Sequence, residues 1–153
     1  MLHYRPATAT DLPALLALTP LLGAFDVPAW RTAEEIGRAD NAILEEAVRS
    51  ARADAFVCVA EEAGRILGQV FVSTRQDYFT GAAHGHIEVL TVHPDAQGRG
   101  VGRELVARAE AWSRARGHGA MTLNVFARNQ AARAVYDRLG YAPETIHYWK
   151  ALG

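Results

Sequence analysis

The sequence predicts an α+β (mixed α/β) protein, a mostly antiparallel mixed sheet flanked by helices, and three observations carry that reading. Apolar residues recur at helical spacing over residues 33–53 and 100–116, each with a charged opposite side. Between them, β-branched and aromatic runs follow one another with connections too short for anything but hairpins. After residue 86 the order becomes strand, helix, strand, and that crossover implies a parallel pair. The length, 153 residues, suits one domain spanning 1–153.

Residues 2–5 read as an edge strand closed by Pro6. Thr10 and Asp11 cap a helix running to Leu18, with Leu12, Leu15, Leu16 and Leu18 on its apolar side and Pro20 ending it. Residues 23–30, which include Gly23, Phe25, Pro28 and Trp30, read as a loop. The helix over 33–53 turns Ile36, Ile43, Leu44, Ala47 and Val48 inward, and Glu34, Glu35, Arg38, Glu45, Glu46 and Arg49 outward. Residues 56–60 and 66–73 form a hairpin in which Gly68 marks a bulge. Residues 77–85 are a loop, with Tyr78 and Phe79 as lips of a cleft, and 86–93 is a third strand ended by Pro94.

The helix over 100–116 buries Leu105, Val106, Ala109 and Trp112 and stops at Gly117. Residues 120–126 alternate as a strand, 130–139 form a helix ended by Gly140, and 145–152 close the chain as a strand.

Composition narrows the function. Sixteen basic residues against 17 acidic ones leave no general positive face for nucleic acid. No stretch approaches the roughly 18–20 apolar residues of a membrane span, and residues 1–6 lack the apolar run of a secretory signal. Cys58, alone in the apolar run 56–60, reads as a core residue without a disulfide partner, which fits a reducing compartment. The expectation is a cytoplasmic protein with neither nucleic acid nor membrane as partner.

The most informative stretch runs from Val92 through Gln97, Gly98, Arg99, Gly100, Val101, Gly102 and Arg103 to Leu105. It carries a strand into a helix through alternating glycines, where backbone can approach a ligand closely. The first N–H groups of a helix lack internal partners, and the helix dipole adds roughly half a positive charge, so a phosphate fits there. Arg99 and Arg103 add cations at the same mouth. No Lys-Ser or Lys-Thr follows the last glycine, so this is not a Walker A loop. A dinucleotide site wants an acidic residue closing the next strand, and 121–126 offers none.

Downstream, Asn129, Ala132, Tyr136, Leu139, Gly140 and Tyr141 form a second pattern: an asparagine, a helix with small residues, a tyrosine and a Leu-Gly-aromatic ending. Together with Gln97, Gly100 and Gly102, which fill a Gln/Arg-x-x-Gly-x-Gly/Ala signature, it resembles the Gcn5-related N-acetyltransferase (GNAT) family, with matching element order along essentially the whole chain. The resemblance implies a GNAT-like acyl-CoA N-acyltransferase fold and an enzyme that moves acetyl from acetyl-CoA to a primary amine, on a small molecule or a peptide, by direct attack. Leu90 and Val92, with Thr91 between them, would pair with the pantetheine arm as an added strand. The amides of Gly98, Arg99, Gly100, Val101, Gly102 and Arg103, entered from Gln97, would hold the pyrophosphate. Asn129, with Ala132 and Tyr136 on the same helix, would form the far wall, Asn129 also serving as a helix cap.

Tyr136 is the candidate acid: the leaving thiolate needs a proton, and a phenol with a pKa near 10 can donate it. An alkylamine, with a pKa around 10.4, must lose a proton before attack. Glu88 is the first candidate base and His86, two residues away on the same strand face, the second, with a water chain as the third. His84 and His86 without a third ligand make no metal site. In that family the first two helices and the loop between them border the acceptor site, so the resemblance implies Asp26, Trp30, Glu34 and Glu35 as candidates for recognising a cationic substrate. Relatives that dimerise through late strands imply Tyr148 and Trp149 as a contact between copies, with a core position as the alternative. Two rival readings are a non-catalytic acyl-CoA-binding module of the same fold and a dinucleotide-dependent oxidoreductase.

Overall fold

A computed structural model describes all residues, 1–153. β1 (His3–Pro6) is followed by a 3-10 turn (Ala9–Asp11), α1 (Leu12–Leu18), a second 3-10 turn (Thr19–Gly23) and α2 (Ala33–Arg49). The meander β2 (Ala55–Glu62), β3 (Arg65–Gln76) and β4 (Ala83–Val92) comes next, then a 3-10 turn (Pro94–Ala96), α3 (Val101–Ala115), β5 (Met121–Leu123) and α4 (Gln130–Arg138). The sheet order is β1-β2-β3-β4-β5, antiparallel up to β4, with β4 and β5 parallel as the crossover requires.

Helices cover both faces of the sheet. On one, Val101, Leu105, Val106 and Ala109 of α3 pack on Cys58, Ala60, Val70, Val72 and Ile87. On the other, Leu12, Leu15, Leu44 and Ala47 from α1 and α2 pack on Val57, Val59, Phe71 and Val89. The bulge expected at Gly68 is present: Ala60 faces Gly68 and Glu61 faces Ile66, so Leu67 is the extra residue. Ala63 and Gly64 turn the β2–β3 hairpin with positive φ at both, which matches the twist of the strands they join. Thr32 and Glu35 close a reciprocal cap on α2, their bonds 3.1 and 3.2 Å long.

Several expectations are corrected. Residues 145–152 form no strand and lie exposed; β-favouring residues alone make no ladder without a paired edge. β5 is three residues long instead of seven, because its pairing with β4 ends at Ile87–Leu123. α2 ends at Arg49, short of residue 53, and its Ile43 is partly in water. Tyr78 and Phe79 are no cleft lips. They meet edge to face, ring centroids 5.3 Å apart, at the exposed tip of the β3–β4 hairpin, the opposite end of β4 from the glycine loop.

Candidate active site

The site originates in a break of the β3–β4 ladder. Phe71 faces Val89 while Val72 faces Ile87, which leaves Glu88 as an unopposed extra residue. Such a bulge bends its strand. β4 and β5 pair over Gly85–Met121, His86–Thr122 and Ile87–Leu123 and no further. Beyond the bulge the two strands part, and residues 88–92 of β4 have a free edge on that side.

Hydrogen-bond parity says which backbone groups use that edge. His93 donates its N–H to Leu67 O at 2.8 Å. In an antiparallel ladder the bonded pairs alternate, so Thr91 is directed at Gln69 while Leu90 and Val92 direct N–H and C=O outward. Thr91, grouped with these two from the sequence, is therefore turned away: its backbone serves β3, and its buried hydroxyl faces the α1 side without a partner.

The free edge runs directly into the glycine loop. Gly98 and Gly100 have φ of 76° and 78°, a region that side chains with a Cβ avoid, and Gly100 is the N-cap of α3. No side chain caps this helix, and the N–H groups of Val101, Gly102 and Arg103 have no protein acceptor. A Cβ placed on Gly98 or Gly100 would meet nothing within 4 Å, so the mouth is open. Val101 itself anchors the loop from beneath, its side chain fully buried in the α3 core. Gln97 lies exposed just before the loop, and Arg103 is exposed and free of ion pairs. Arg99, expected at the mouth, is instead paired with Glu62 across the turn, at 2.9 Å.

On the α1/α2 side of the bulge lies a polar cluster. Glu88, its side chain 11% exposed, accepts from Ser73 Oγ at 2.8 Å and from Arg75 Nε at 2.9 Å. His86, opposite Ser73, bonds Thr122 Oγ1 through Nδ1 at 2.7 Å. Burial, with the Arg75 charge adding to it, lowers the imidazole's pKa and keeps the ring neutral. The expected shared face of His86 and Glu88 is thus observed, both meeting Ser73.

Sequence reasoning missed three members of this group: Ser73, Arg75 and Asp40. Burial and the Glu88 charge push the Asp40 carboxyl up to about 6. The signal was available, since Asp40 precedes buried Leu44 by four residues and Ala47 by seven, the inner side of α2.

On α4, Asn129 caps the helix by accepting from Ala132 N–H at 3.2 Å, and both are half-buried. Tyr136 is half-buried against Tyr141, ring centroids 5.9 Å apart, and its hydroxyl has no hydrogen-bond partner. Burial pushes its pKa up to about 12. No direct bond joins Tyr136 to Glu88 or His86. Of the acceptor-side candidates, Asp26 pairs with Arg128, Glu35 serves the α2 cap and Trp30 stacks on Trp149; Glu34 alone is uncommitted. Tyr148 is 86% exposed, so the core alternative for it is set aside.

A strand edge with outward amides, feeding an uncapped helix N-terminus, defines a fold class that comparison then identifies. Residues 22–141 match the acetyltransferase (GNAT) family, and the chain belongs to that family. It is 34% identical to the mycothiol acetyltransferase of Cellulomonas flavigena, over 93% of this chain and 45% of that protein. It is 35% identical to the mycothiol acetyltransferase of Salinispora tropica, over 98% of this chain and 47% of that one. The chain thus spans about half the length of these curated relatives. A GCN5-related N-acetyltransferase structure from Ralstonia eutropha superimposes with a TM-score of 0.77 at 22% identity, covering 100% of both chains. That likeness supports the GNAT fold.

Proposed function

We propose that this chain, acting as one domain, transfers acetyl from acetyl-CoA to a primary amine by direct attack. The observation that carries the proposal is the continuous donor surface formed by the free β4 edge and the open N-terminus of α3. An arm containing two amides can bond the outward groups of Leu90 and Val92 as an extra strand, and its diphosphate can take the N–H groups of 101–103. Arg103 supplies the mobile cation; Arg99, held by Glu62, contributes through its backbone.

The amine attacks the thioester carbonyl, the C–S bond breaks and the thiolate takes a proton. Tyr136 gives that proton: with its pKa raised to about 12, the phenol is fully protonated at neutral pH. Glu88 receives the proton of the attacking ammonium, directly or through water, its carboxylate oriented by Ser73 and Arg75. His86, neutral through burial, is the second acceptor for that proton. Cys58 is buried in the α3-side core, so an acyl-cysteine route is not part of the proposal.

No helix is long and apolar enough to cross a membrane. We place the chain in the cytoplasm, without nucleic acid or membrane as partner, and leave exposed Tyr148 as the contact point for a second copy. The test is saturable, acetyl-CoA-dependent thiol release with one or more members of an amine panel. Binding of coenzyme A without transfer to any amine would favour the non-catalytic module instead.

A further inference from the structure

The loop between the second 3-10 turn and α2 is tied to the chain beyond β5 at three successive points. The Phe25 ring lies 5.2 Å from Phe126, Asp26 pairs with Arg128, and the Trp30 indole stacks on Trp149 at 4.9 Å with planes 3° apart. Each contact joins the α1/α2 layer to residues past the point where β5 leaves β4. They link the helical layer on the sheet face that carries Glu88, Ser73, Arg75 and His86 to the chain on the far side of the β4–β5 gap.

These ties are of a kind that opens. Trp30 and Trp149 are 46% and 42% exposed, and the Asp26–Arg128 pair is solvated on both sides. After Tyr141 no backbone group of the C-terminal segment enters a helix, strand or turn bond, so the Trp149 stack is a main attachment of that segment.

We propose that Phe25–Phe126, Asp26–Arg128 and Trp30–Trp149 form a strap over the acceptor entrance, which the amine must part to reach the acyl group and which closes around it afterwards. This rests on the acetyl-transfer reading of the site. The strap sets access of the acceptor and leaves the coenzyme, which lies along β4 and the α3 N-terminus, untouched. Aromatic faces beside an acidic and a basic side chain suit an acceptor that brings a cationic amine on an apolar or ring-shaped body.

The test locks the strap. Asp26→Cys/Arg128→Cys is bridged by a short thiol-cleavable bis-maleimide; buried Cys58 does not compete. Acetylated product is followed by chromatography, using the amine of highest kcat/KM from a panel of an amino acid, a polyamine, an aminosugar and a peptide N-terminus. The expected result is at least tenfold slower turnover when bridged, recovery on cleavage, and a coenzyme A Kd within twofold throughout. A second pair of variants, Trp30→Ala and Trp149→Ala, should each shift acceptor KM at least threefold with the coenzyme Kd unchanged. A bridged protein that turns over like the cleaved one overturns the strap alone. A native protein that takes up no coenzyme A overturns the site reading, and the strap with it.

Discussion

Arg75 straddles the Glu88 carboxylate, its terminal nitrogen 2.7 Å from Oε1 and 2.8 Å from Oε2, while Ser73 holds Oε1 from the other side. The bulge places Glu88 beside the free strand edge, and this pair then fixes which way its carboxylate faces. In the proposed role as base, which requires meeting an incoming ammonium in one orientation, Glu88 benefits from such a clamp.

Glu88→Gln should lower kcat/KM about 100-fold, the ordinary scale of lost acid–base assistance. Coenzyme A affinity should stay within twofold. Steady-state kinetics from pH 6 to 9, beside calorimetric titration, reads both.

On the proposed mechanism, Tyr136→Phe removes the proton donor while disturbing no bond within the protein, because the hydroxyl holds none. We expect kcat to fall by about 100-fold with unchanged acetyl-CoA KM, and less with an activated thioester whose leaving group needs no proton. Equal loss with both thioesters would assign Tyr136 a packing role.

Asp40 couples the site to stability. Its folded carboxyl holds a proton up to about pH 6, against 3.8 ordinarily, so the folded state binds more protons than the unfolded between those values. Stability is accordingly lost as pH rises through that window. Asp40→Asn, which cannot ionise, should be more stable by about 1 kcal/mol at pH 8, a figure reduced for its partial exposure, with no gain at pH 3. Urea denaturation at the two pH values checks the sign.

Asp11 has the opposite sign. Arg5 grips it at 2.7 and 2.9 Å and Thr8 N–H adds a bond of 2.8 Å, holding its pKa down to about 2. Its contribution is present above pH 4 and is lost as pH falls through about 2. Asp11→Asn should cost about 2 kcal/mol at pH 7 and almost nothing near pH 2, as read by thermal melts.

What the sequence disclosed depended on how local each feature is. The glycine loop, the α3 face and the β2–β3 hairpin are set by residues within a few positions, and the structure follows them. The Glu88 bulge is legible in neither spacing nor propensity, because it is a property of the register between β3 and β4. The same holds for Arg99, whose partner Glu62 is distant in sequence, and for Thr91, whose direction follows from ladder parity. The failed strand at 145–152 shows the converse: propensity was present, yet the segment pairs with no strand.

Amide-resolved NMR during a coenzyme A titration tests the account most directly. The N–H signals of Leu90, Val92, Gly98, Val101, Gly102 and Arg103 should shift together and saturate, Thr91 should move less than its two neighbours, and Gly100→Val should abolish the response. Saturable shifts centred on other residues, or none at all, would contradict the placement of the coenzyme on the β4 edge and the α3 N-terminus.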